Sequence, residues 1–132
     1  MGACMTKLDK IVAFVATTNV EQAKLFYRDK LGLKFVLDDG FALIFKIDGT
    51  TFRIARVEKL TPATYTVLGW EVADIDRAVT ELTDKGVAFE RFKGMPQDAL
   101  GVWRSPNGSK VAWFKDPDGN ILSLSQHPAT TG

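Results

Sequence analysis

The 132-residue sequence contains two copies of one pattern, and this internal repeat limits the fold more than any other feature. The segment that begins at Leu8, LDKIVAFVATTNVEQAKLFYRDKLGLKF, resembles ATYTVLGWEVADIDRAVTELTDKGVAFE, which begins at Ala63. FALIFKIDGTTFRIARV from Phe41 likewise resembles KVAWFKDPDGNILSLSQ from Lys110. A repeat of this length indicates two similar supersecondary units. We therefore predict module 1 at about residues 8–57, a linker at about residues 58–62 and module 2 at about residues 63–127.

Each module is predicted to fold as a strand, a helix and three further strands, so the chain is α+β with two βαβββ modules. In module 1 the β-branched run Ile11–Thr17 favours a strand. Asn19 is a good N-cap for a helix that ends near Leu31, where Gly32 supplies a left-handed residue. Hairpin signals of the Asp-Gly type separate the later strands, which are predicted at Lys34–Leu37, Phe41–Ile47 and Thr51–Val57.

Module 2 repeats this order but carries an insertion. A strand is predicted at Val67–Val72, and Asp74 caps a helix that Gly86 closes. Three strands are predicted to follow, at Phe89–Phe92, Lys110–Phe114 and Asn120–Ser125. Between the first two of these lies KGMPQDALGVWRSPNGS, whose glycines and prolines predict a structured loop with room for one short strand.

Composition excludes several classes of protein. With 45% hydrophobic residues the chain fits one globular domain, and 17 basic against 16 acidic residues leave no strongly basic face for a nucleic acid. No apolar run approaches the ~20 residues of a membrane span, and no signal-peptide pattern is present. Cys4 is the single cysteine, which excludes an internal disulfide, so we expect a cytoplasmic protein. MGACMT formally matches a myristoylation pattern at Gly2, but we favour a simpler origin, in which either a second start at Met5 or an added segment before it explains these residues.

Two motifs resemble those of one known superfamily. These are FY-x-x-x-LG at the predicted end of the first helix and VAWFKDPDGNILSL near the end of the chain. Together, and duplicated in register, they resemble the vicinal oxygen chelate superfamily of glyoxalases, bleomycin resistance proteins and dioxygenases. The resemblance implies two half-barrels around a concave cleft and, in many members, a dimer. Its activities include glyoxalase, extradiol dioxygenase, epimerase, thiol transfer to fosfomycin and drug sequestration.

The resemblance also assigns four metal-ligand positions, on the first and last strands of each module. In this sequence they are Val12, Arg53, Val67 and Ser123. Valine has no donor atom, arginine is a cation, and a lone serine is a poor ligand for a divalent metal. The single histidine, His127, lies near the end of the chain. We therefore expect no metal and no cofactor.

Strand periodicity identifies the residues that share the cleft with these positions. Side chains alternate with a period of two. The cleft face is then expected to carry Phe14, Ala16, Thr51, Ala55, Gly69, Glu71, Ile121 and Ser125. The opposite face is expected to carry Ile11, Ala13, Val15, Phe52, Ile54, Leu68, Trp70, Val72, Leu122 and Leu124. Because the second set is almost wholly apolar, hydrophobicity supports the assignment independently of the resemblance.

The predicted ligand-binding residues are aromatic, hydroxyl or cationic: Phe14, Arg53, Trp103, Trp113, Ser123 and Ser125. Arg53 either binds a ligand carboxylate or phosphate, or pairs with Glu71 or another acid. Trp113 is assigned equally to the pocket and to the core, and Trp103 to the pocket or a dimer interface. Trp70 is assigned to the core. No histidine is available to activate Ser123 or Ser125 as a nucleophile.

These residues predict a metal-free protein that binds, and sequesters, a small planar molecule that is neutral or anionic. The alternatives are a lyase, isomerase or dioxygenase-like enzyme of the same superfamily, or a structural dimer with a vestigial cleft. We expect a homodimer, because two half-barrels leave sheet edges and apolar surface that pairing covers.

Overall fold

The computed structural model describes residues 6–128, so the terminal pattern at Gly2 and Cys4 and the alternative start at Met5 lie outside the described residues. The predicted α+β fold of paired modules is confirmed, with one four-stranded sheet in each. Module 1 contains β1 (Val12–Thr17), α1 (Val20–Lys24, continued by a π-helical segment Leu25–Lys30), β2 (Lys34–Asp38), β3 (Ala42–Ile47) and β4 (Thr50–Arg56). Module 2 contains β5 (Thr66–Glu71), α2 (Ile75–Asp84), β6 (Trp103–Arg104), β7 (Lys110–Lys115) and β8 (Ile121–Gln126).

The two sheets have equivalent topologies. Their strand orders are β1-β4-β3-β2 and β5-β8-β7-β6. In each sheet the first and last strands of the module are parallel neighbours, and all other neighbours are antiparallel. The sheets approach each other where β1 lies near β5. The four central strands are therefore the ones that carry the predicted ligand-equivalent positions.

The helix boundaries follow from the capping residues that the sequence indicates. The Asn19 side chain accepts a hydrogen bond from the backbone N–H of Gln22 at 3.2 Å, and Asp74 accepts one from Arg77 at 3.1 Å. Each satisfies a backbone donor at a helix start that has no partner within the helix. Gly32, with φ of 73°, ends the first helical segment in the left-handed region, as predicted.

The face assignment is confirmed by burial. Val15, Phe52, Ile54, Leu122 and Leu124 are all buried in one hydrophobic core, against which the helices pack. Ile11 is an exception to the predicted apolar face: it precedes β1 and is 78% exposed. Ile121 lies on the cleft face as predicted, but it is buried there beside Thr66.

The prediction of a strand at Phe89–Phe92 is wrong. Only an isolated bridge joins Phe89 to Phe114, and the edge of the second sheet is instead β6, inside the insertion. The cause is Gln97, whose amide nitrogen donates to the carbonyls of Glu90 and Gly101 and whose amide oxygen accepts from the N–H of Phe92. These side-chain bonds satisfy the backbone that a ladder of strand hydrogen bonds would otherwise use.

No helix within residues 6–128 is both long enough and apolar enough to cross a membrane.

Candidate functional site

Strand register brings four of the six predicted ligand-binding residues together on the cleft face of the second sheet. Across β7 and β8, Trp113 lies opposite Ser123 and Val111 lies opposite Ser125. Trp103 of β6 lies opposite Val111 on its other side. Because residues paired across a ladder point to the same face, both tryptophans and both serines share one surface.

The tryptophans form the centre of an aromatic cluster. The ring centroids of Trp103 and Trp113 are 6.2 Å apart at an interplanar angle of 39°. Phe92 meets Trp113 edge-on, with centroids 5.4 Å apart at 85°. The indole nitrogen of Trp113 donates to Oγ1 of Thr66 at 3.1 Å, which fixes the orientation of its ring. Both tryptophans remain partly exposed, so the described part of the chain leaves this surface open to solvent.

A cavity of about 190 Å³ lies beside this cluster. Trp113 and Ile121 form one side of it, and Phe92 and Met95 form another. Tyr65, 69% exposed, stands at its rim. Sequence reasoning missed Phe92, Met95 and Tyr65 because strand periodicity does not extend into a loop or a linker.

The absence of a side chain on Gly69 leaves room for the hydroxyl of Ser123 on this surface. A Cβ built on Gly69 would lie 2.5 Å from Oγ of Ser123, well inside contact distance. The hydroxyl of Ser123 therefore occupies space that a side chain on β5 would otherwise fill. Ser123 and Ser125 are half-buried, so their hydroxyl groups remain accessible from the cleft face.

Phe14 and Arg53 form a separate pair on the first sheet. They lie opposite each other across β1 and β4, and Phe14 is 59% exposed. Arg53 donates from Nη2 to Oδ2 of Asp39 at 2.7 Å, so its partner is an acid in the turn before β3. Within residues 6–128 no hydrogen bond or ring contact joins this pair to the tryptophan cluster.

The carboxylate of Asp39 is held by three hydrogen bonds. Its carboxylate accepts hydrogen bonds from the N–H groups of Phe41 and Ala42 as well as from Arg53. The bond from Phe41 is the largest cause, followed by Arg53, and together they hold the pKa of Asp39 below its usual value. Arg53 is therefore paired to an ionised acid at neutral pH.

The predicted partner Glu71 lies elsewhere. Its Oε1 is 3.6 Å from Nε2 of His127, and Nδ1 of His127 is 3.1 Å from Oγ of Ser109. The alternative in which Arg53 pairs with an acid is therefore realised with Asp39 rather than with Glu71. Strand alternation predicts the face on which a side chain lies, but it does not predict which residue of a neighbouring turn contacts that side chain.

The residues at the ligand-equivalent positions do not fit a divalent metal. Val12, Arg53, Val67 and Ser123 offer one neutral hydroxyl and a fixed cation between them. Nor does the described chain hold any group of three or more histidine, cysteine or acidic side chains placed to bind a metal ion. In β5 the register shifts at Val67, so Thr66, rather than Val67, lies opposite Ile121.

A polar cluster, in which Tyr27, Asp116 and Asn120 are buried, joins the two modules. Tyr27 of the first helical segment donates to Oδ2 of Asp116 at 2.6 Å, and Asn120 donates from Nδ2 to the carbonyl of Ala16 at 2.9 Å. Asp118 accepts from the backbone N–H and the hydroxyl of Thr18, both at 2.8 Å. We call Tyr27, Asp116, Asp118 and Asn120 the intermodule clasp. It joins the FY and DPDGN motifs, which are therefore structural rather than ligand-binding.

The fold of paired modules agrees with a comparison of the sequence with known families. The family model described as the Glyoxalase/Bleomycin resistance protein/Dioxygenase superfamily matches residues 7–124. The chain belongs to this superfamily. No curated protein matches the sequence.

Solved structures of this superfamily have the same fold. A member from Sphaerobacter thermophilus DSM 20745 is 26% identical, with a TM-score of 0.69 over 89% of this chain and 96% of the other. A lactoylglutathione lyase from Agrobacterium tumefaciens is 19% identical, with a TM-score of 0.69 over 92% and 95%. The fosfomycin resistance protein FosX from Listeria monocytogenes is 14% identical, with a TM-score of 0.70 over 94% and 95%.

Proposed function

We propose that the protein binds a planar organic molecule on the cleft face without a metal ion, and that it acts by sequestering this molecule. The observation that carries the proposal is the pair of partly exposed tryptophans, Trp103 and Trp113, of which Trp113 lines a cavity. Stacking on an indole contributes ~0.5–1.5 kcal/mol beyond burial of the same area. A flat aromatic ligand can stack on Trp113 without any rearrangement of the ring, because Thr66 and Phe92 already orient it.

The polar groups around the cluster suit recognition of such a ligand. Ser123 lies opposite Trp113, and Ser125 lies one pair further along β8. An apolar wall with a few hydroxyl groups is the usual lining of a small-molecule pocket. Ring stacking, apolar burial and one or two hydrogen bonds together are enough for micromolar affinity, about −8 kcal/mol.

Arg53 favours a neutral ligand over a strongly anionic one. Its charge is compensated by Asp39 at 2.7 Å. A guanidinium carries five N–H donors, so donors not used by Asp39 are available to a carbonyl or hydroxyl of the ligand. We place Phe14 and Arg53 at the outer end of the site, where they contact the part of the ligand that extends beyond the tryptophans.

The arrangement favours binding over catalysis. Glu71, His127 and Ser109 lie in a row, but the 3.6 Å between Glu71 and His127 exceeds hydrogen-bond length. The side chains of His127 and Glu71 are 53% and 71% exposed. Nucleophilic catalysis uses a base within hydrogen-bond reach of the nucleophile and oriented by a third group, and the distance from Glu71 to His127 does not provide that orientation. Ser109 is also buried, which keeps it away from a substrate.

A thermal-shift screen in excess EDTA tests the proposal. The panel contains three bicyclic aromatics of similar size: naphthol (neutral), naphthoate (anionic) and naphthylmethylammonium (cationic). A ligand that binds the folded state raises the melting temperature by mass action. We expect naphthol to raise it most and naphthoate less. Stabilisation that appears only after Ni²⁺, Mn²⁺ or Zn²⁺ is restored would contradict metal-free binding.

A further inference from the structure

One row of paired residues crosses the cleft face of the second sheet, from a carboxylate at one edge to an indole at the other. Glu71 of β5 lies opposite Ser125 of β8. Ser125 lies in turn opposite Val111 of β7, and Val111 lies opposite Trp103 of β6. Residues paired across a ladder point to the same face, so Glu71 shares the cleft face with Trp103. Because neighbouring strands lie ~4.8 Å apart, the row extends roughly 14 Å from the backbone of Glu71 to that of Trp103.

The carboxylate of Glu71 is a hydrogen-bond acceptor that has no donor within residues 6–128. Its nearest charged partner there is His127, whose Nε2 lies 3.6 Å from Oε1 of Glu71, beyond hydrogen-bond length. The side chain of Glu71 is 71% exposed, so both of its oxygens are accessible from the cleft face. An ionised carboxylate only accepts hydrogen bonds, and a ligand that binds it must therefore offer donors.

The groups beside Glu71 on the β8 strand are hydroxyl groups rather than charges. Ser125 lies opposite Glu71, and Ser123 lies opposite Gly69, the next residue of β5 on the same face. Both serines are half-buried. A hydroxyl group both donates and accepts, whereas an ammonium group only donates. A ligand that carries neutral hydroxyl groups can therefore donate to Glu71 and also satisfy the donors of the two serines.

We propose that the ligand of the cleft face carries a vicinal diol, as a sugar ring does, beside its planar aromatic part. The inference rests on the proposed function and specifies the class of ligand, which is a neutral aromatic glycoside or a similar polyhydroxylated compound. The aromatic part stacks on the tryptophan cluster, and two adjacent O–H groups of the ligand donate to the carboxylate of Glu71. An acidic side chain binds a ribose hydroxyl group of dinucleotides in the same manner.

The test compares three naphthyl ethers that differ only in the groups on a three-carbon chain: naphthyloxypropanediol, naphthyloxypropanol and naphthyloxypropylammonium. Isothermal titration of the unmodified protein in excess EDTA measures each affinity. We expect the diol to bind about three- to tenfold more tightly than the single alcohol, which corresponds to one further hydrogen bond to an exposed carboxylate. The ammonium compound is expected to bind more weakly than the diol, because it cannot accept hydrogen bonds from the serines.

Two variants locate the diol. Glu71→Met keeps the length of the side chain but removes both acceptors, and it is expected to abolish the preference for the diol over the single alcohol. Glu81→Met is the matched control: it removes an acid of similar exposure, 62%, from α2, which packs on the core behind the sheet. It is expected to retain the wild-type preference. If Glu71→Met does not fold, Glu71→Ala takes its place with the same expectation.

The outcomes separate this inference from the proposed function. If naphthol binds but the diol and the single alcohol bind equally, the cleft face takes a planar ligand and the inference of a diol is wrong. A preference for the diol that persists in a folded Glu71 variant also overturns it, as does tighter binding of the ammonium compound than of the diol. If none of the naphthyl compounds binds, the proposed function is wrong and this inference is wrong with it.

Discussion

The phenol of Tyr27 donates a hydrogen bond of 2.6 Å to the carboxylate of Asp116, and this buried pair joins the two modules across 89 residues of sequence. Asp116 also accepts bonds from the N–H groups of Asp118 and Asn120 and from the side-chain amide of Asn120. Burial first, and then the charge of Asp116, raise the pKa of Tyr27 well above its usual range. Tyr27 therefore remains a protonated donor throughout the working pH range.

Tyr27→Phe is expected to lower the free energy of unfolding by about 1–3 kcal/mol, because it removes a donor from a buried carboxylate. Urea denaturation monitored by circular dichroism measures the change. Tyr65→Phe removes the same hydroxyl at an exposed position and is expected to change stability by less than about 0.5 kcal/mol. Equal midpoints for the two variants would show that the hydrogen bond from Tyr27 to Asp116 contributes nothing to stability.

Gly69→Ala is expected to destabilise the protein by about 1–3 kcal/mol, as other insertions into filled space do. The new methyl group would lie 2.5 Å from Oγ of Ser123. Adding Ser123→Ala removes that oxygen and is expected to restore most of the loss, whereas adding Ser125→Ala is not. The wild type, the single variants Gly69→Ala and Ser123→Ala, and the variant that combines them form a double-mutant cycle for chemical denaturation. Additive effects of Gly69→Ala and Ser123→Ala would mean that the two residues do not interact.

The pH dependence of stability is expected to include a contribution from Asp39. Its pKa is lowered in the folded state, so its carboxylate stabilises the fold above its unfolded pKa of about 3.9. That stabilisation is lost as the pH falls through the folded value. Asp39→Asn is therefore expected to lose less stability than the wild type between about pH 5 and pH 2.

Arg53→Met is the matched comparison for Asp39→Asn. It removes the ion pair but leaves the bonds from the backbone N–H groups of Phe41 and Ala42, the former being the largest cause of the shift. We expect it to retain most of the wild-type acid sensitivity. Acid titration of the unfolding midpoint compares the three proteins, and identical curves for all of them would contradict the assignment.

A homodimer is expected in solution, because several large apolar side chains are exposed on the single chain, among them Leu8, Phe14, Phe41 and Tyr65. Where such side chains form one contiguous patch, that patch usually marks an interface. Light scattering is expected to give twice the chain mass of 14.6 kDa. A mass of 14.6 kDa throughout the micromolar range would contradict this expectation.

Local patterns predicted the parts of the fold that depend on near neighbours. The caps at Asn19 and Asp74 and the left-handed Gly32 are decided within a few residues, and all three are confirmed. Strand parity predicted the buried row of Phe52 and Ile54, because alternation is a property of the strand itself.

The errors arose where a distant or irregular group decides the structure. Gln97 in the insertion takes the hydrogen bonds that would have made Phe89–Phe92 a strand, and no periodicity reveals a side chain that acts from a loop. The partner of Arg53 is Asp39, which reaches it only because β2 and β3 bring their turn over β4. Phe92, which contacts Trp113, was missed for a similar reason: it lies in an irregular segment, where strand periodicity does not apply.

The binding of naphthol to EDTA-treated protein, compared between the wild type and Trp103→Ala, tests the central claim most directly. Isothermal titration is expected to give micromolar affinity for the wild type and a loss of about 1–3 kcal/mol on removal of the indole. Arg53→Ala is expected to lose less, since Asp39 already occupies part of its guanidinium. Trp70→Phe, on the opposite face, is the control and is expected to bind as the wild type does. If folded Trp103→Ala and Arg53→Ala both bind naphthol as tightly as the wild type, the ligand does not occupy this face and the proposed function is wrong.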